Sequence, residues 1–363
     1  MKIEVVSFTG DSGLADYAVS LARALAAHAE VRVVSAQSLP GRFDALGFAV
    51  TRVFRRSRHY PLDIWRFVAG VLRRRPDWLL LQGPLKFPWL DALFIRLLHL
   101  LGIRCAVTVH DVLPHYPSFW SRYEYGFYYR SFNRVVTHSQ AAAAGLKTLG
   151  VCGEILVVPH GIYDLFDLTG IDRRSARRAL GLEEDEFVLL FFGHLEPRKG
   201  LMVFLEAAQA LAGEVKLKFL LAGANALTTH GSQHVRRLEA ARQWPNVIVH
   251  DRRIPFEEVE RYFAASDVVA LPYLEGTTSG VLKLALAFGK PVAASRVGDF
   301  PEQIPAGAGE LFDADARIAM HFASAVQRIR ANYPAYLSAM QAARGQAQWP
   351  DIAARLLAYL EAR

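Results

Sequence analysis

Short runs of apolar residues alternate with helical patterns along the whole chain, and this alternation constrains the fold more than any other feature. Eleven runs have the length and composition of β-strands, and most are apolar on consecutive positions, as strands buried on both faces are. The apolar residues between them recur at helical spacing, which predicts parallel sheets covered by helices. The eleven runs are Ile3–Phe8, Val31–Ser35, Asp77–Gln82, Ala106–His110, Arg134–His138, Ile155–His160, Phe187–Gly193, Leu217–Gly223, Val247–His250, Val268–Pro272 and Pro291–Ser295.

Eleven strands exceed the usual size of one sheet, and 363 residues are enough for two domains. We therefore predict an α/β protein with two Rossmann-like, doubly wound domains. We place the first over residues 1–165 and the second over residues 166–345, divided near a polar, turn-rich stretch at residues 161–177. A helix over residues 346–363 is expected to pack back on the first domain. Ligands of such folds bind at the carboxyl ends of the strands, so each strand end is a candidate site.

Composition excludes several classes of protein. Cys105 and Cys152 are the only cysteines, which excludes a disulfide scaffold and fits a reducing compartment. The amino-terminal residues lack the apolar segment of a signal peptide, and no uncharged apolar run reaches the roughly 18 residues of a membrane span. We therefore expect a cytoplasmic protein.

The stretch nearest to a membrane span, residues 90–103, predicts an amphipathic helix instead. Asp91, Arg96 and His99 interrupt it, and its apolar residues recur at helical spacing. The apolar stripe consists of Leu93, Phe94, Leu97, Leu98 and Leu101.

The net charge of +7 is confined to the first half of the chain. Residues 1–165 hold 19 Lys and Arg against 12 Asp and Glu, whereas the other residues hold 23 of each. Such an excess indicates an anionic partner. Nucleic acid is not the expected one, because no nucleic-acid-binding motif is present. Between residues 51 and 75, Asp63 is the only acid among eight arginines: Arg52, Arg55, Arg56, Arg58, Arg66, Arg73, Arg74 and Arg75.

Two strand ends in the first domain carry candidate chemistry. The first strand leads into residues 9–13 (TGDSG) and then a helix, which exposes backbone N–H groups to an anion; a plain tight turn fits equally well. The fourth strand ends at His110, which could donate a hydrogen bond or act as an acid or base in a cleft. His115 follows, but no further ligand cluster accompanies the two histidines, so we expect no metal site.

A strand end in the second domain predicts an anion site. The strand that ends at Gly193 leads to Arg198 and Lys199, and Gly200 then opens a helix. The helix dipole disfavours cations at this end, so two adjacent cations there are expected when an anion binds between them and the helix. A solvated charged loop is the alternative.

A second strand end in this domain predicts further phosphate contacts. After the strand Val268–Pro272, Thr278, Ser279 and Gly280 place hydroxyl and N–H groups at the start of a helix. Ser279 would also cap that helix. Glu275 precedes them and could hold a sugar hydroxyl.

Taken together, these segments resemble the GT-B glycosyltransferases of family 4. The similarity runs from Gly13 to about Ile329 and is strongest in the second half. It is carried by residues 108–110 (TVH), 158–161 (VPHG), 193–200 (GHLEPRKG), 267–273 (DVVALPY), 279–282 (SGVL), 289–292 (GKPV) and 298–302 (GDFPE).

The resemblance implies two domains that face each other across a cleft, the first for the acceptor and the second for a nucleotide-diphosphate sugar. It implies that Arg198 and Lys199 neutralise the leaving diphosphate, that His110 contacts the donor sugar, and that no metal or other cofactor is needed. Glu275 matches the first acid of the family's E-x7-E motif. The implied donor-binding residues are Gly13, Gly193, Gly223, Arg253, Ile254, Thr278, Ser279, Gly280 and Lys283.

The chain departs from the family at the second acid of E-x7-E, which holds the ribose of the nucleotide. Counting eight residues on from Glu275 reaches Lys283, and aligning on residues 289–291 reaches Leu284 instead. Ribose recognition therefore differs here, and Lys283 is either a phosphate contact or a plain surface residue. The family implies retention of anomeric configuration.

Three functions fit these observations. The first is a glycosyltransferase of bacterial surface polysaccharide or lipid-linked oligosaccharide synthesis, peripheral on the inner face of the plasma membrane. Its arginines and amphipathic helix would then rest on anionic lipid near a polyprenyl-diphosphate-linked or glycan acceptor, with a solvated face as the alternative. The second is a nucleotide-sugar 2-epimerase, and the third is a non-catalytic nucleotide-sugar binding module.

Overall fold

The computed structural model describes residues 1–55, 57–114, 117–225, 232–275, 279–346 and 348–362. Within them the chain forms two compact units, Met1–Gly161 with Ala347–Arg363, and Ile162–Gln346. Each unit contains one sheet whose paired strands are all parallel, with helices between the strands. The predicted α/β class with two Rossmann-like domains is confirmed.

In its described residues the first unit contains seven strands: β1 (Lys2–Val6), β2 (Glu30–Ala36), β3 (Ala49–Phe54), β4 (Trp78–Leu81), β5 (Arg104–Val109), β6 (Arg134–Thr137) and β7 (Ile155–Val157). They lie in the order β3-β2-β1-β4-β5-β6-β7. The chain therefore winds outward in both directions from the neighbouring strands β1 and β4, which is the arrangement of a doubly wound fold.

Five helices connect these strands: α1 (Gly13–Leu25), α2 (Tyr60–Arg74), α3 (Pro88–Leu100), α4 (Ser121–Tyr129) and α5 (Gln140–Thr148). Because parallel crossovers are right-handed, α1 lies on one face of the sheet and α2 to α5 lie on the other. Buried side chains of those four helices, among them Phe67, Ile95, Tyr128 and Leu146, form one core with the strands.

The α3 helix packs on this core through only part of its apolar surface. Ala92, Ile95 and Leu98 are buried, whereas Leu93 and Leu97 of the predicted stripe are exposed. The predicted helix exists, and its apolar stripe contains both buried and exposed residues. A helix that is apolar on both faces does not show from sequence alone which face packs on the sheet.

The described part of the second unit contains six strands: β8 (Phe187–Phe192), β9 (Leu217–Ala222), β10 (Val247–His250), β11 (Val268–Leu271), β12 (Val292–Ser295) and β13 (Gly309–Phe312). Their order is β10-β9-β8-β11-β12-β13. The helices are α6 (Arg173–Leu180), α7 (Leu201–Ala210), α8 (Ser232–Ala241), α9 (Phe256–Ala265), α10 (Gly280–Ala287), α11 (Phe300–Gln303), α12 (Ile318–Ala331) and α13 (Tyr333–Ala343).

The last helix, α14 (Trp349–Glu361), belongs to the first unit. The ring of Trp349 lies 5.2 Å from that of Tyr17 on α1. Arg134 of β6 donates hydrogen bonds to the carbonyl oxygens of Tyr359 at 3.2 Å and Ala362 at 2.6 Å. These bonds satisfy carbonyl groups that the end of a helix leaves without partners.

The sequence pattern predicts eleven of the thirteen strands in the described residues and omits β3 and β13. Both are edge strands, each paired on one side only. Most residues of β3 are only half-buried, as are the first three residues of β13, so neither has the continuous apolar run of a central strand.

Candidate functional site

The strands β8 and β11 are neighbours in the second sheet, and the chain leaves them toward opposite edges. This is the switch point at which doubly wound folds bind ligands. The loop after β8 contains residues 193–200 and the loop after β11 leads to Ser279. The two meet directly, because the backbone N–H of Leu274 donates to the carbonyl oxygen of Arg198 at 2.8 Å.

Glycines allow these loops to come together. Gly200 has a φ of +74°, and a β-carbon on it would lie 1.7 Å from the carbonyl oxygen of Pro272. Gly193 has a φ of +95°, and a β-carbon there would lie 3.2 Å from the Nζ atom of Lys199. The backbone of residue 193 therefore passes beside the Lys199 ammonium group.

Arg198 and Lys199 share the first loop with a carboxylate. The Nε atom of Arg198 lies 2.6 Å from Oε2 of Glu196, and both side chains are 19% exposed. Burial lowers the pKa of Lys199, Glu196 opposes the shift and the positive charge of Arg198 adds to it, so that the pKa is about 8. Two cations and one carboxylate leave a positive site. Glu196 is not predicted as a site residue from the sequence, although it lies within the same motif.

The start of α10 faces the same switch point. Ser279 caps the helix by accepting from the backbone N–H of Leu282 at 3.4 Å, and its hydroxyl lies 3.1 Å from that of Tyr273. Burial raises the pKa of Tyr273 to about 12, so its hydroxyl stays protonated at neutral pH. Gly280 is the first residue of α10, and Glu275 is exposed in the loop before it. Thr278 lies outside the described residues.

Lys283 is not a surface residue, so that alternative is wrong. It is 2% exposed, and its Nζ atom donates to Oε1 of Gln303 on α11. Burial lowers the pKa of Lys283 to about 8, and the charge of Asp299 acts in the other direction. The Gln303 amide in turn donates to Asp299. Lys283 thus belongs to a buried polar network behind the helix start.

Gly223 and the loop after β10 extend the site along the sheet edge. A β-carbon on Gly223 would lie 1.8 Å from the carbonyl oxygen of Gly193, so these two backbones touch. The backbone N–H of Asn225 donates to Oδ1 of Asp251 at 3.0 Å, which joins the loops after β9 and β10. Arg253 and Ile254, exposed and half-buried respectively, follow in that second loop.

In the first unit, the loop after β1 leads directly into the amino terminus of α1. Ser12 caps α1 by accepting from the backbone N–H of Ala15 at 3.3 Å, and its hydroxyl lies 2.6 Å from that of Thr9. Gly13 begins the helix and is exposed.

Three histidines gather around Tyr17 at the carboxyl edge of the first sheet. His110, His138 and His160 follow β5, β6 and β7, and their ring centroids lie 4.6, 5.2 and 4.8 Å from that of Tyr17. The Nε2 atom of His110 lies 3.3 Å from Oε1 of Gln82. Burial lowers the pKa of His110 to about 3, so the imidazole is neutral at physiological pH.

Of these three histidines, only His110 is a predicted site residue. His138 and His160 end two of the predicted strands, and this position at a strand end could have identified them as candidate site residues. Among the described residues, no group of three or more His, Cys, Asp and Glu is placed to hold a metal ion.

Three of the arginines assigned to a membrane or acceptor are engaged inside the first unit. The ion pairs are Arg52–Asp44 at 2.7 Å, Arg55–Asp63 at 2.7 Å, and Arg74–Glu4. Arg58, Arg73 and Arg75 are exposed, and Arg56 lies outside the described residues. Within the described part of the chain, no helix is both long and apolar enough to cross a membrane.

Comparison with known proteins gives two family matches. The family described as Glycosyltransferase Family 4 matches residues 12–164, and the family described as Glycosyl transferases group 1 matches residues 186–332. A D-inositol 3-phosphate glycosyltransferase of Geodermatophilus obscurus is 32% identical over 184 residues. That match covers 48% of this chain and 40% of the relative, so it spans less than half of the relative's length.

Solved structures resemble the chain over nearly its full length. The Anabaena protein HepE in complex with UDP is 18% identical, with a TM-score of 0.77 over 99% of both chains. Sucrose-phosphate synthase of Thermosynechococcus elongatus is 21% identical, with a TM-score of 0.76 over 99% of this chain and 98% of that one. The chain therefore combines a Glycosyltransferase Family 4 domain with a Glycosyl transferases group 1 domain, and it has the GT-B fold.

Proposed function

We propose that this protein transfers a sugar from a nucleotide-diphosphate sugar to an acceptor, and that the β8–β11 switch point binds the diphosphate. One observation carries the proposal: Arg198, Lys199 and the capped start of α10 adjoin a single switch point. Helix amino termini and paired cations are complementary to phosphate oxygens. HepE, which shares the fold, has been solved with UDP, so a UDP-sugar is the first donor to test.

In the proposed mechanism the second unit stabilises the leaving group. Negative charge grows on the diphosphate as the bond to the sugar breaks, and fixed cations lower the energy of that state more than that of the bound donor. Arg198 is held in place by Glu196, and the half-buried Lys199 lies beside the backbone of Gly193, so both cations are oriented before the donor binds. We propose that these residues supply the positive charge without a metal ion.

We propose that His110 contacts the donor sugar as a neutral hydrogen-bonding group. Its low pKa supports this role, because a neutral imidazole carries both a donor and an acceptor nitrogen. We also propose retention of anomeric configuration, which NMR of the product would test: an inverted anomer contradicts it.

The acceptor is proposed to be membrane-associated, either polyprenyl-diphosphate-linked or a glycan of the bacterial surface, at the inner face of the plasma membrane. The charge excess supports this, since all of it lies in residues 1–165 and the proposed diphosphate-binding cations lie outside that range. Anionic lipid attracts such a surface.

The first test is a thermal-shift panel of UDP-, GDP-, ADP- and TDP-sugars, because a bound donor raises the melting temperature by mass action. Arg198→Ala should lower the rate of sugar transfer about 100-fold or more, as loss of one transition-state donor does in other enzymes. Arg174→Ala is the matched control, since Arg174 also pairs with a glutamate of the second unit but lies exposed on α6. Equal rates for the two variants would contradict the proposal.

Two control reactions separate the competing functions. Incubation with donor alone would yield an isomerised sugar nucleotide if the protein were a 2-epimerase. Donor binding without turnover, over a full panel of acceptors, would indicate a non-catalytic module. Transfer that is unchanged by EDTA would support the metal-independent mechanism, and transfer abolished by EDTA would contradict it.

A further inference from the structure

The outward face of α3 is apolar along its whole length. Trp89 is 50% exposed, Leu93 47%, Leu97 39% and Leu100 86%. These residues are spaced by four, four and three positions, so they form one stripe along the helix. A helix that covers a sheet in a globular protein normally carries polar residues on that side.

The neighbouring helix continues this apolar surface. Leu62 and Trp65, three residues apart on α2, are 58% and 61% exposed, which is within the range of the four α3 residues. The ring of Trp65 meets that of Phe94 on α3 edge to face, at a centroid distance of 5.8 Å. The two helices therefore present one surface, which we call the outer apolar face: Leu62, Trp65, Trp89, Leu93, Leu97 and Leu100.

Positive charge borders the outer apolar face, and the acids of both helices are turned away from it. Arg66, Arg73 and Arg96 are exposed on α2 and α3. Asp63 and Asp91, the only acids in the two helices, are each 1% exposed. The exposed charged side chains of α2 and α3 are therefore all cationic.

Hydrogen bonds hold the two acids inside. Asp63 accepts from the backbone N–H and the guanidinium of Arg55, both at 2.9 Å. Asp91 accepts from the backbone N–H groups of Leu85 and Lys86, at 2.9 and 3.0 Å. Asp63 also lies 4.0 Å from a guanidinium nitrogen of the exposed Arg66, but its nearer partner is Arg55 at 2.7 Å.

We propose that the outer apolar face inserts into the surface of an anionic lipid bilayer. Leucine side chains would enter the acyl-chain boundary, the two tryptophans would lie at headgroup level, and the bordering arginines would contact lipid phosphates. Charge complementarity selects this occupant over a second copy of the chain. A symmetric dimer through this face would bring the same arginines of both copies together, which is unfavourable.

This inference rests on the proposed membrane-associated acceptor, and it names the residues through which the protein would bind the membrane. The arginines of residues 51–75 alone would give binding that salt abolishes, because salt screens charges on the surface. Insertion of apolar side chains adds a component that persists at high salt. The exposed face of α3 is thus the main anchor, and the arginines are secondary to it.

Flotation with liposomes tests the proposal, with full-length protein and without donor or acceptor. We expect the protein to float with phosphatidylcholine–phosphatidylglycerol vesicles and to remain partly bound at about 1 M salt, where the Debye length is about 3 Å. The double variant Trp89→Ser with Leu93→Ser should lower the partition coefficient at least tenfold. The matched control is Leu168→Ser with Met320→Ser, which removes two side chains of similar exposure from the second unit and should bind as the wild type does.

Three results would overturn the proposal. The first is a wild-type protein that stays unbound on these vesicles, and the second is binding that high salt removes completely. The third is a wild-type dimer that the Trp89–Leu93 double variant converts to monomers, which would make the face a protein interface. A melting temperature for the variant close to the wild-type value shows that it is folded, because both side chains are already exposed.

The same measurement separates this proposal from the proposed function. Vesicle binding needs no catalysis, so a protein that floats but transfers no sugar contradicts only the glycosyltransferase proposal. A protein that transfers sugar to a soluble acceptor but does not float contradicts only the membrane contact.

Discussion

Gly200 and Pro272 approach so closely that a β-carbon on residue 200 would lie 1.7 Å from the carbonyl oxygen of Pro272. This contact joins the loop that carries Arg198 and Lys199 to the loop that leads into α10. The two halves of the proposed diphosphate site are therefore held together by backbone, and the glycine is what allows it.

Gly200→Ala should destabilise the protein more than an otherwise similar substitution. Gly181→Ala is the matched control, because Gly181 has a φ of +70°, close to the +74° of Gly200, but no atom within 4 Å of its β-carbon position. In both variants the free energy of unfolding should fall by about 1–2 kcal/mol, because alanine is unfavourable in the left-handed conformation. Gly200→Ala should lose about a further 1–3 kcal/mol, because the backbone must move to make room for the β-carbon. Denaturant unfolding measures this difference. Equal losses in the two variants would show that the contact with Pro272 is not formed.

Lys199 should make nucleotide binding depend on pH. Its pKa lies near 8, below the ordinary value of 10.5, so its positive charge is present below about pH 8 and is lost above it. We expect the affinity for UDP to fall as the pH rises through 8. Titration calorimetry over this range measures the effect. Lys199→Gln should remove that pH dependence, whereas Lys216→Gln, at an exposed lysine of the same unit, should keep it.

The stability of the ligand-free protein should move in the opposite direction. A lysine whose pKa is lowered on folding binds fewer protons in the folded state than in the unfolded chain between about pH 8 and 10.5. The contribution of Lys199 to stability therefore rises across that window. If nucleotide binding weakens above pH 8 while the melting temperature does not fall, the loss of affinity comes from the lost charge and not from unfolding.

His110 should make the protein sensitive to acid. Folding lowers its pKa from 6.5 to about 3, so below pH 6.5 the unfolded chain takes up a proton that the folded protein does not. Stability is then lost as the pH falls from 6.5 toward 3, by at most about 1.4 kcal/mol per pH unit from this residue. His110→Asn should flatten this acid slope in denaturant unfolding. His28→Asn, at an exposed histidine of the same unit, is the control, and equal slopes for the two variants would contradict the prediction.

Central strands and ligand-binding loops could be predicted from the sequence because their physics is local. A strand buried on both faces needs consecutive apolar residues, as Leu79 to Leu81 show. A left-handed turn that meets another backbone requires a glycine, as at Gly200. The edge strand β3 carries no such signal. Its residue Arg52 belongs to the basic run in the sequence, but in the structure it forms an ion pair with Asp44.

What could not be predicted depends on contacts between residues far apart in the chain. The orientation of α3 follows from which of its two apolar faces meets the sheet, and Leu93 looks the same in sequence as the buried Leu98. Lys283 appears as a surface charge until Asp299 and Gln303 are brought beside it by the strand β12 that precedes them. The partners of a buried charge are set by topology.

The contact between Gly161 and Trp349 ties the last helix to the histidine cluster, and it can be tested in isolation. A β-carbon on Gly161 would lie 2.4 to 2.6 Å from three atoms of the Trp349 indole, whose ring is 5.2 Å from Tyr17 and 6.5 Å from His160. Gly161→Ala should therefore lower the free energy of unfolding by about 1–3 kcal/mol, because the indole is buried and has little room to move. Gly153→Ala is the control, with no atom within 4 Å of its β-carbon position, and should change stability by less than about 0.5 kcal/mol.

In a double-mutant cycle, adding Trp349→Phe should relieve part of the Gly161→Ala loss, because the smaller ring makes room for the methyl group. Strictly additive losses in denaturant unfolding would mean that the two residues do not touch.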